Sequence, residues 1–287
     1  MNLIRLRNLY NCTFGRDPDG DAILSYAHTD SGKLVETLLN SDEYADKQVE
    51  KSLASTPKRR KFDYSIISIN DRAAENKDAI VSSLSECTLH TLEYFDSSKQ
   101  DYKKFYADRG IENNWDPGHS FMRAEPLVGE FGICGSQILV LEYMVKNNIP
   151  EMIVFEDDVV LSEKFIDHLN LCYADLPDNF DFLSDMTVFP NERFFNSVNE
   201  YTLIGSSFIT RSHLQNAHLG FMLYSLAGAK KILALLKETG FFAPIDTMLF
   251  YYSRSGLLNG YSTFFSNRLV ADKDFHGSMI DTDNIRR

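Results

Sequence analysis

The sequence lacks the marks of several protein classes. Its four cysteines (Cys12, Cys87, Cys134 and Cys172) are scattered without a Cys-x-x-Cys pair, which argues against zinc and favours reduced thiols in the cytoplasm. No stretch reaches the roughly 18 apolar residues of a membrane span, and no N-terminal apolar run resembles a signal peptide. Basic residues are scarce, with 29 Lys and Arg against 41 Asp and Glu and a formal net charge of −12. Nucleic-acid binders normally carry a basic surface, so the sequence argues against that class.

Apolar and aromatic residues, by contrast, are plentiful. Hydrophobic residues make up 44% of the 287 positions, with 21 Phe and 14 Tyr, which is ample for a folded core. The length suits one large α/β domain with a small appendage. We place a helical module at residues 1–55, a linker at 56–62 within a polar, basic run around Pro57, and the main domain at 63–287.

The N-terminal residues 1–55 show two apolar stripes at helical spacing, one within 3–10 and one within 34–39. Between them, residues 15–21 imitate a calcium loop, but the glycine and the twelfth position do not fit that motif. The pattern Leu-Tyr-x-x-x-Phe-Gly-Arg-Asp-Pro-Asp resembles a small helical module of unknown function found in many bacterial proteins. That resemblance implies no chemistry, and we expect any homo-oligomer to form through these helices.

Strand and helix patterns alternate beyond residue 64. Short apolar runs predict strands at 64–69, 90–95, 152–155, 180–183, 202–208 and 220–224. Helical spacing, with caps such as Ser162 and Ser225, predicts helices ending near 84, and over about 134–147, 162–171, 227–238 and 246–254. Residues 96–128 show little periodicity and suit a long active-site loop. The alternation predicts an α/β fold in which helices cover a mostly parallel sheet.

The most informative segment is 152–158, Met-Ile-Val-Phe-Glu-Asp-Asp. Four apolar residues suit a strand buried on both faces, and the carboxylates after them lie where open α/β sheets bind ligands. Glu156, Asp157 and Asp158 would repel one another there and raise each other's pKa unless a cation neutralised them. The segment therefore predicts a site for Mg²⁺ or Mn²⁺, completed by substrate phosphates and water. A solvated acidic turn is the alternative, against which the apolar residues on both sides argue.

Six short segments beyond residue 64 form an ordered set of motifs. They are Ile67-Ser68-Ile69-Asn70-Asp71-Arg72, Gly129-Glu130-Phe131-Gly132 with Ser136, Phe155-Glu156-Asp157-Asp158-Val159, Gly220-Phe221-Met222-Leu223-Tyr224, Ala227-Gly228-Ala229-Lys230-Lys231 and Pro244-Ile245-Asp246. In this order they resemble the motifs of glycosyltransferase family 25, the bacterial lipooligosaccharide and procollagen galactosyltransferase group. Each match is weak alone, but the ordered set is specific.

The resemblance implies a Rossmann-like fold of the GT-A type and a metal-dependent, inverting transfer of a hexose. Galactose or glucose would pass from a UDP-sugar to a saccharide or glycoprotein acceptor. The resemblance assigns the metal, Mn²⁺ or Mg²⁺, to Glu156 and Asp158, with His276 as a third ligand. Asp157 either joins the donor site or points into the sheet. The residues implied for the UDP-sugar donor are Asn70, Asp71, Arg72, Ser136, Gln137 and Asp157.

An inverting transfer needs a base that takes the proton of the acceptor hydroxyl. Asp246 is our first candidate for this base, although its position near a helix start also fits a plain N-cap. Asp185, which follows a strand end, is the second candidate. Glu130 in the Gly-Glu-Phe-Gly block is a further candidate catalytic residue.

One position departs from the family pattern. Gln137 stands where the family has a histidine, and a glutamine side chain cannot titrate near neutral pH. If the family histidine only orients the donor, activity survives the change. If that histidine moves a proton, this enzyme is altered or inactive.

Two other functions stay open at this point. One is a non-catalytic relative that binds a sugar or a nucleotide. The other is a Mg²⁺-dependent phosphohydrolase or nucleotidyltransferase, which no glycine-rich phosphate loop supports. We expect a cytoplasmic glycosyltransferase of lipopolysaccharide biosynthesis, without a transmembrane segment and with peripheral membrane association left open.

Overall fold

A computed structural model of the chain describes residues 60–68, 74–119, 124–157, 159–161, 165–184, 203–204, 209–211, 220–263 and 270–273. The predicted helical module 1–55 lies outside these residues, as does most of the predicted linker. The described strands are β1 (Asp63–Ile67), β2 (Thr88–Leu89), β3 (Glu151–Glu156), β4 (Val159–Leu161), β5 (Phe182–Ser184), β6 (Leu203–Ile204), β7 (Ile209–Arg211), β8 (Phe221–Ser225), β9 (Gly260–Thr263) and β10 (Val270–Lys273). The α-helices are α1 (Ala74–Ser83), α2 (Tyr102–Ala107), α3 (Val128–Asn147), α4 (Phe165–Asp175), α5 (Leu226–Thr239) and α6 (Ile245–Arg254), and a 3₁₀ turn covers Pro117–His119.

Eight strands form one sheet in the order β2-β1-β3-β8-β5-β9-β7-β6, and β10 pairs with β4 in a second, two-stranded sheet. Parallel pairing joins β1 to β2 and β3, and joins β5 to β9. Antiparallel pairing joins β8 to its two neighbours and β7 to its two neighbours. In the large sheet only β8 and β7 therefore run against the common direction, so the sheet is mixed but mostly parallel, as predicted.

The core lies on both faces of this sheet, and β3 shows why. Met152 and Val154 point into one apolar cluster, which contains residues of α3, α5 and α6. Ile153 and Phe155 point into the other cluster, which contains residues of α1 and α4. Successive side chains of a strand point to opposite faces, so a strand covered on both sides needs a continuous apolar run. The prediction of a doubly buried strand before the carboxylates is confirmed.

Helix α5 has the ends that its sequence predicted. The Oγ of Ser225 accepts a hydrogen bond from the Gly228 amide at 3.0 Å, which is an N-cap contact. Gly240 ends the helix with φ of 73°, a conformation that favours glycine. Gly228 is required for packing, because a Cβ at this position would collide with the Asp181 carbonyl group.

Helix α3 is, among the described residues, the one helix long and apolar enough to cross a membrane by composition. Eleven of its residues are buried, including Glu130 and Gln137, and it packs against α5. We interpret α3 as a core helix of the α/β fold.

Two predictions made from the sequence are wrong. Residues 90–95 are not a strand, because β2 ends at Leu89 and the segment leaves the sheet. The Phe95 amide instead donates to the Oγ of Ser136 on α3, at 3.1 Å. The segment 96–128 is not a plain loop, since it contains α2, whose N-cap Asp101 accepts from the Lys104 amide at 3.1 Å. The apolar spacing of Tyr102, Phe105 and Tyr106 was too short to reveal this helix.

Candidate active site

Three elements bring carboxylates to the carboxyl edge of the sheet. Strand β3 ends there at Glu156. Helix α3 precedes β3 and packs back along the sheet, so its first turn, with Glu130, lies at the same edge. Strand β8 runs against β3, and α5 returns from its far end, so α6 and its first-turn residue Asp246 also begin at this edge. The predicted position of the site, beyond the ends of parallel strands, follows from this connectivity.

Asp246 is the most perturbed carboxyl group of the site. Its side chain is half-buried. Burial, the largest cause, and the negative charges of Glu156 and Glu130 together raise its pKa from 3.8 to about 7. The Thr247 amide donates to Asp246 Oδ1 at 2.6 Å and opposes the shift. A carboxyl group with this pKa can take up or release a proton at neutral pH.

Asp246 is not the N-cap of its helix. Pro244 occupies the cap position of α6, and Asp246 lies within the first turn. Its neighbours Ile245 and Thr247 are buried. The alternative interpretation of Asp246 as a plain cap is therefore wrong.

Glu130 is buried in the first turn of α3. Its Oε2 accepts a hydrogen bond from the Leu127 amide at 2.8 Å, which fixes the start of the helix. The carboxylate thus has a structural partner as well as an electrostatic effect on Asp246. Its assignment as a catalytic residue stays a prediction.

Glu156 and Asp157 diverge at the end of β3. Glu156 follows the alternation of Met152 and Val154 and is buried on the α3 face. Asp157 hydrogen-bonds the side chain of Ser68, which follows β1. Burial raises the pKa of Asp157, the Ser68 contact lowers it and the Glu156 charge raises it. Asp157 therefore faces the first strand, in keeping with the predicted alternative to a metal role.

The described residues contain no group of three or more His, Cys, Asp or Glu side chains arranged to hold a metal ion. The predicted ligands Asp158 and His276 lie outside the described residues. Glu156, the predicted ligand that the structure describes, supplies the hard carboxylate oxygens that Mg²⁺ and Mn²⁺ prefer, and such ions often bind only one or two protein carboxylates. The pKa of Asp157 is raised mainly by burial and to a lesser extent by the charge of Glu156, so a second charge at this strand end is disfavoured without a cation. In charge and donor type the residues fit a divalent cation.

Gln137, the residue in place of the family histidine, is buried on α3 beneath this edge. Its Oε1 accepts a hydrogen bond from the hydroxyl of Tyr224 on β8, at 3.1 Å. Its Nε2 is buried and has no hydrogen-bond partner among the described residues. Because buried amides are nearly always paired, this donor fits an acceptor that the described residues do not supply.

The other predicted donor residues divide into two sets. Ser136 is fully buried, and its hydroxyl holds the Phe95 amide, so the structure gives it a packing role. Its donor contact stays a prediction. Asn70, Asp71 and Arg72, together with the second base candidate Asp185, lie outside the described residues.

Tyr224 is the residue whose role the sequence analysis missed. It belongs to the predicted strand 220–224, and burial raises the pKa of its hydroxyl. Met222 and Tyr224 share the face of β8 that packs against α3. The alternation of side chains along β8 places Tyr224 on the side of α3, where Gln137 is buried. This alternation was the signal that could have predicted a contact between the two residues.

Comparisons with known proteins give one family match. The family model described as glycosyltransferase family 25 (LPS biosynthesis protein) matches residues 52–249. No curated protein matches the chain. One similar solved structure is a glycosyltransferase involved in the glycosylation of the major capsid of PBCV-1, with 9% identity over 62% of this chain and 68% of that one, and a TM-score of 0.32. Another is mouse xyloside xylosyltransferase 1 in its apo form, with 13% identity over 75% and 78% of the two chains, and a TM-score of 0.37.

Proposed function

Because this chain belongs to glycosyltransferase family 25, and is therefore a glycosyltransferase, we propose that it moves a hexose from a UDP-sugar to a saccharide or glycoprotein acceptor. The proposed transfer is metal-dependent and inverting, with galactose or glucose as the hexose. The family and the α/β, GT-A-like fold agree with the prediction from sequence motifs. The family description also connects the enzyme with lipopolysaccharide biosynthesis, for which we propose a cytoplasmic location.

The observation that carries this proposal is the carboxyl of Asp246. Its pKa of about 7 makes it able to act as a base at neutral pH, and it lies at the sheet edge together with Glu130 and Glu156. In the proposed reaction, Asp246 takes the proton of the acceptor hydroxyl as that oxygen bonds to the anomeric carbon. The bond from the anomeric carbon to the diphosphate breaks, its electron pair stays with UDP, and the anomeric configuration inverts.

A divalent cation, when bound, neutralises charge on the leaving diphosphate. We propose Mn²⁺ or Mg²⁺ as this cation, with Glu156, Asp158 and His276 as its ligands. The carboxylate of Glu156, held at the carboxyl end of β3, supports the carboxylate part of this set.

Gln137 has a positioning role in this proposal. Its amide cannot move a proton, so the chemistry must proceed without a titrating residue at this position. The Tyr224 hydroxyl holds Gln137 Oε1, which leaves the buried Nε2 as a donor for the bound sugar nucleotide. This arrangement supports an orienting function over a catalytic one.

The test is UDP release by the purified full chain with a panel of UDP-sugars, in Mn²⁺ and in EDTA. We expect turnover with at least one UDP-hexose, and its loss in EDTA. Asp158→Ala should abolish the metal-dependent turnover while the protein stays folded. Binding of a UDP-sugar without any turnover would identify a binding protein, and turnover unaffected by EDTA would remove the metal from the mechanism.

A further inference from the structure

A groove of about 550 Å³ lies between α2, the turn at 110–113, the start of α3 and the residue that follows the end of α5. Its inner wall is built on an aromatic cluster in which Tyr102 is half-buried, while Tyr106, Phe131 and Phe241 are buried behind it. Tyr102 stacks on Phe131, with ring centroids 4.3 Å apart and 20° between the planes. Phe131 in turn packs on Phe241, with centroids 4.9 Å apart, and Tyr106 contacts both rings. The volume is that of a small-ligand site.

The groove adjoins the candidate active site. Phe131 follows Glu130 in the first turn of α3. This one turn therefore supplies Glu130 to the candidate active site and Phe131 to the groove. Phe241 belongs to the short segment between α5 and α6, and the first turn of α6 carries Asp246. A ligand in the groove would therefore lie at the same edge of the sheet as the base.

Polar side chains surround the aromatic wall at the mouth of the groove. Lys103, Glu112 and Asn113 line it and are exposed. Asn113 Oδ1 accepts from the Trp115 amide at 3.3 Å, which leaves the amide nitrogen of this side chain available. Within the described part of the chain, Lys103 and Glu112 make no ion pair. The groove thus combines the half-buried ring of Tyr102, backed by buried rings, with hydrogen-bonding groups at its rim.

We propose that this groove binds a hexopyranose ring of the saccharide acceptor. A pyranose ring has an apolar C–H face that suits an aromatic wall, and a periphery of hydroxyls that suits the amide, amine and carboxylate of the rim. An alkyl chain would use the wall but would leave the rim without partners. That the ring belongs to the acceptor rests on the proposed function, whereas its chemical class rests on the groove alone.

The sequence supplies a reporter for this site. Trp115 is the single tryptophan of the chain, and its ring packs against Phe241 with centroids 5.6 Å apart. Titration of the full chain with lactose, maltose or N-acetyllactosamine should give a saturable change in tryptophan fluorescence for at least one of the three sugars. Tyr102→Ala should weaken that binding about tenfold, while Tyr102→Phe, which keeps the ring, should bind like the wild type.

Two further variants make the test specific. Tyr143→Ala removes an equally half-buried tyrosine from the far end of α3, where its hydroxyl bonds His90, and should leave sugar binding unchanged. Lys103→Met changes only an exposed rim residue and should weaken binding even if Tyr102→Ala fails to fold.

The outcomes separate this proposal from the proposed function. A wild-type chain that turns over UDP-sugars but shows no fluorescence change with any of the three saccharides overturns the groove proposal. Equal loss of binding in Tyr102→Ala and Tyr143→Ala also overturns it. So does a fluorescence change with submicellar dihexanoyl phosphatidylcholine but with none of the sugars, because the groove would then bind alkyl chains. Saturable saccharide binding in a chain without UDP-sugar turnover would support the groove and contradict the proposed function.

Discussion

At the scale of single residues, Asp246 determines the pH range in which the proposed chemistry works. Burial is the main cause of its raised pKa, and the charges of Glu156 and Glu130 add to it. A base is most effective when its pKa lies near the working pH, since it is then both deprotonated and able to hold a proton. In the proposed mechanism, the two neighbouring carboxylates would contribute by raising the pKa of this base, without having to touch the substrate.

Transfer activity should rise with pH through a midpoint at or below about 7, because Asp246 must be deprotonated to act as the base and a cation bound by Glu156 offsets part of the charge that raises its pKa. Asp246→Asn should keep donor binding, lower kcat by about 10²–10⁴ and remove this rise. Asp167→Asn, in the first turn of α4 on the opposite face of the sheet, is the matched control. Normal kcat with a raised acceptor KM in Asp246→Asn would instead assign Asp246 to acceptor binding and move the base to Asp185.

The same pKa makes a prediction for stability. A carboxyl group whose pKa is higher in the folded than in the unfolded chain binds extra protons on folding between the two values, here 3.8 and about 7. Its ionisation therefore destabilises the fold progressively as pH rises through this window, and the full cost remains above it.

Asp246→Asn escapes this cost, because the amide carries no charge. Its Tm in EDTA should exceed that of the wild type at pH 8, and the difference should vanish near pH 4. Thermal unfolding at several pH values measures the difference. A Tm deficit that is the same at every pH would mean that the carboxylate stabilises the fold, contrary to this account.

At the scale of elements, α3 connects the candidate site with the core. Gly132, the last residue of the Gly-Glu-Phe-Gly block, and Gly135 allow close packing on this helix. A Cβ at Gly132 would lie 2.8 Å from Ser97 Oγ, and one at Gly135 would lie 2.6 Å from the Phe95 ring. Both glycines let the chain at 95–97 lie directly on the helix, where Ser136 holds its backbone. Part of this motif is therefore needed for packing and not for chemistry.

The hydrogen bond between Tyr224 and Gln137 ties β8 to α3, and mutations should show that the two side chains depend on each other. Tyr224→Phe should destabilise the protein by about 1–3 kcal/mol, because it leaves the buried Gln137 Oε1 without its donor. Gln137→Met leaves the Tyr224 hydroxyl unpaired but also removes the unpaired Nε2, so it should destabilise the protein less than Tyr224→Phe.

The double variant Tyr224→Phe with Gln137→Met removes both polar groups and should be much less destabilised than the sum of the single variants. Urea unfolding of the four proteins gives the coupling. Strictly additive effects would mean that the hydrogen bond contributes nothing to stability.

At the scale of the whole molecule, the described fold begins at Arg60. Its guanidinium pairs with Glu151 at 2.6 Å and lies over the Tyr173 ring, 4.1 Å from the centroid. These contacts attach the start of the main domain to β3 and α4. All motifs that resemble the family lie beyond residue 64.

Residues 1–55 should accordingly be dispensable for the chemistry. A chain that starts at Lys58 should keep UDP-sugar turnover, while one that starts at Lys61 also loses Arg60 and should melt about 2–4 °C lower, the effect of about 1 kcal/mol in a domain of this size. Turnover and thermal unfolding of both truncations are the measurements. A folded Lys58 truncation without turnover would show that the N-terminal residues complete the site.

The sequence by itself determined the fold class, the family and most elements of the main domain. The doubly buried β3, the capped α5 and the position of Asp246 in an early turn of α6 all follow from patterns within a dozen residues. Predictions from local patterns were wrong where a segment's hydrogen-bond partners are distant in the sequence. Residues 90–95 alternate like a strand, yet the segment leaves β1 after the bond from the His90 amide to the Tyr64 carbonyl, and the Phe95 amide bonds to Ser136 on α3.

Only the tertiary structure decided how the site is built. The pKa of Asp246 depends on burial and on the charges of Glu130 in α3 and Glu156 in β3. Both carboxylates are distant from Asp246 in the sequence. The same holds for Gln137, whose partner Tyr224 lies on another strand. Motifs name the residues that carry chemistry, but charge interactions and desolvation depend on distance in space. Those distances exist only once the helices pack on the sheet.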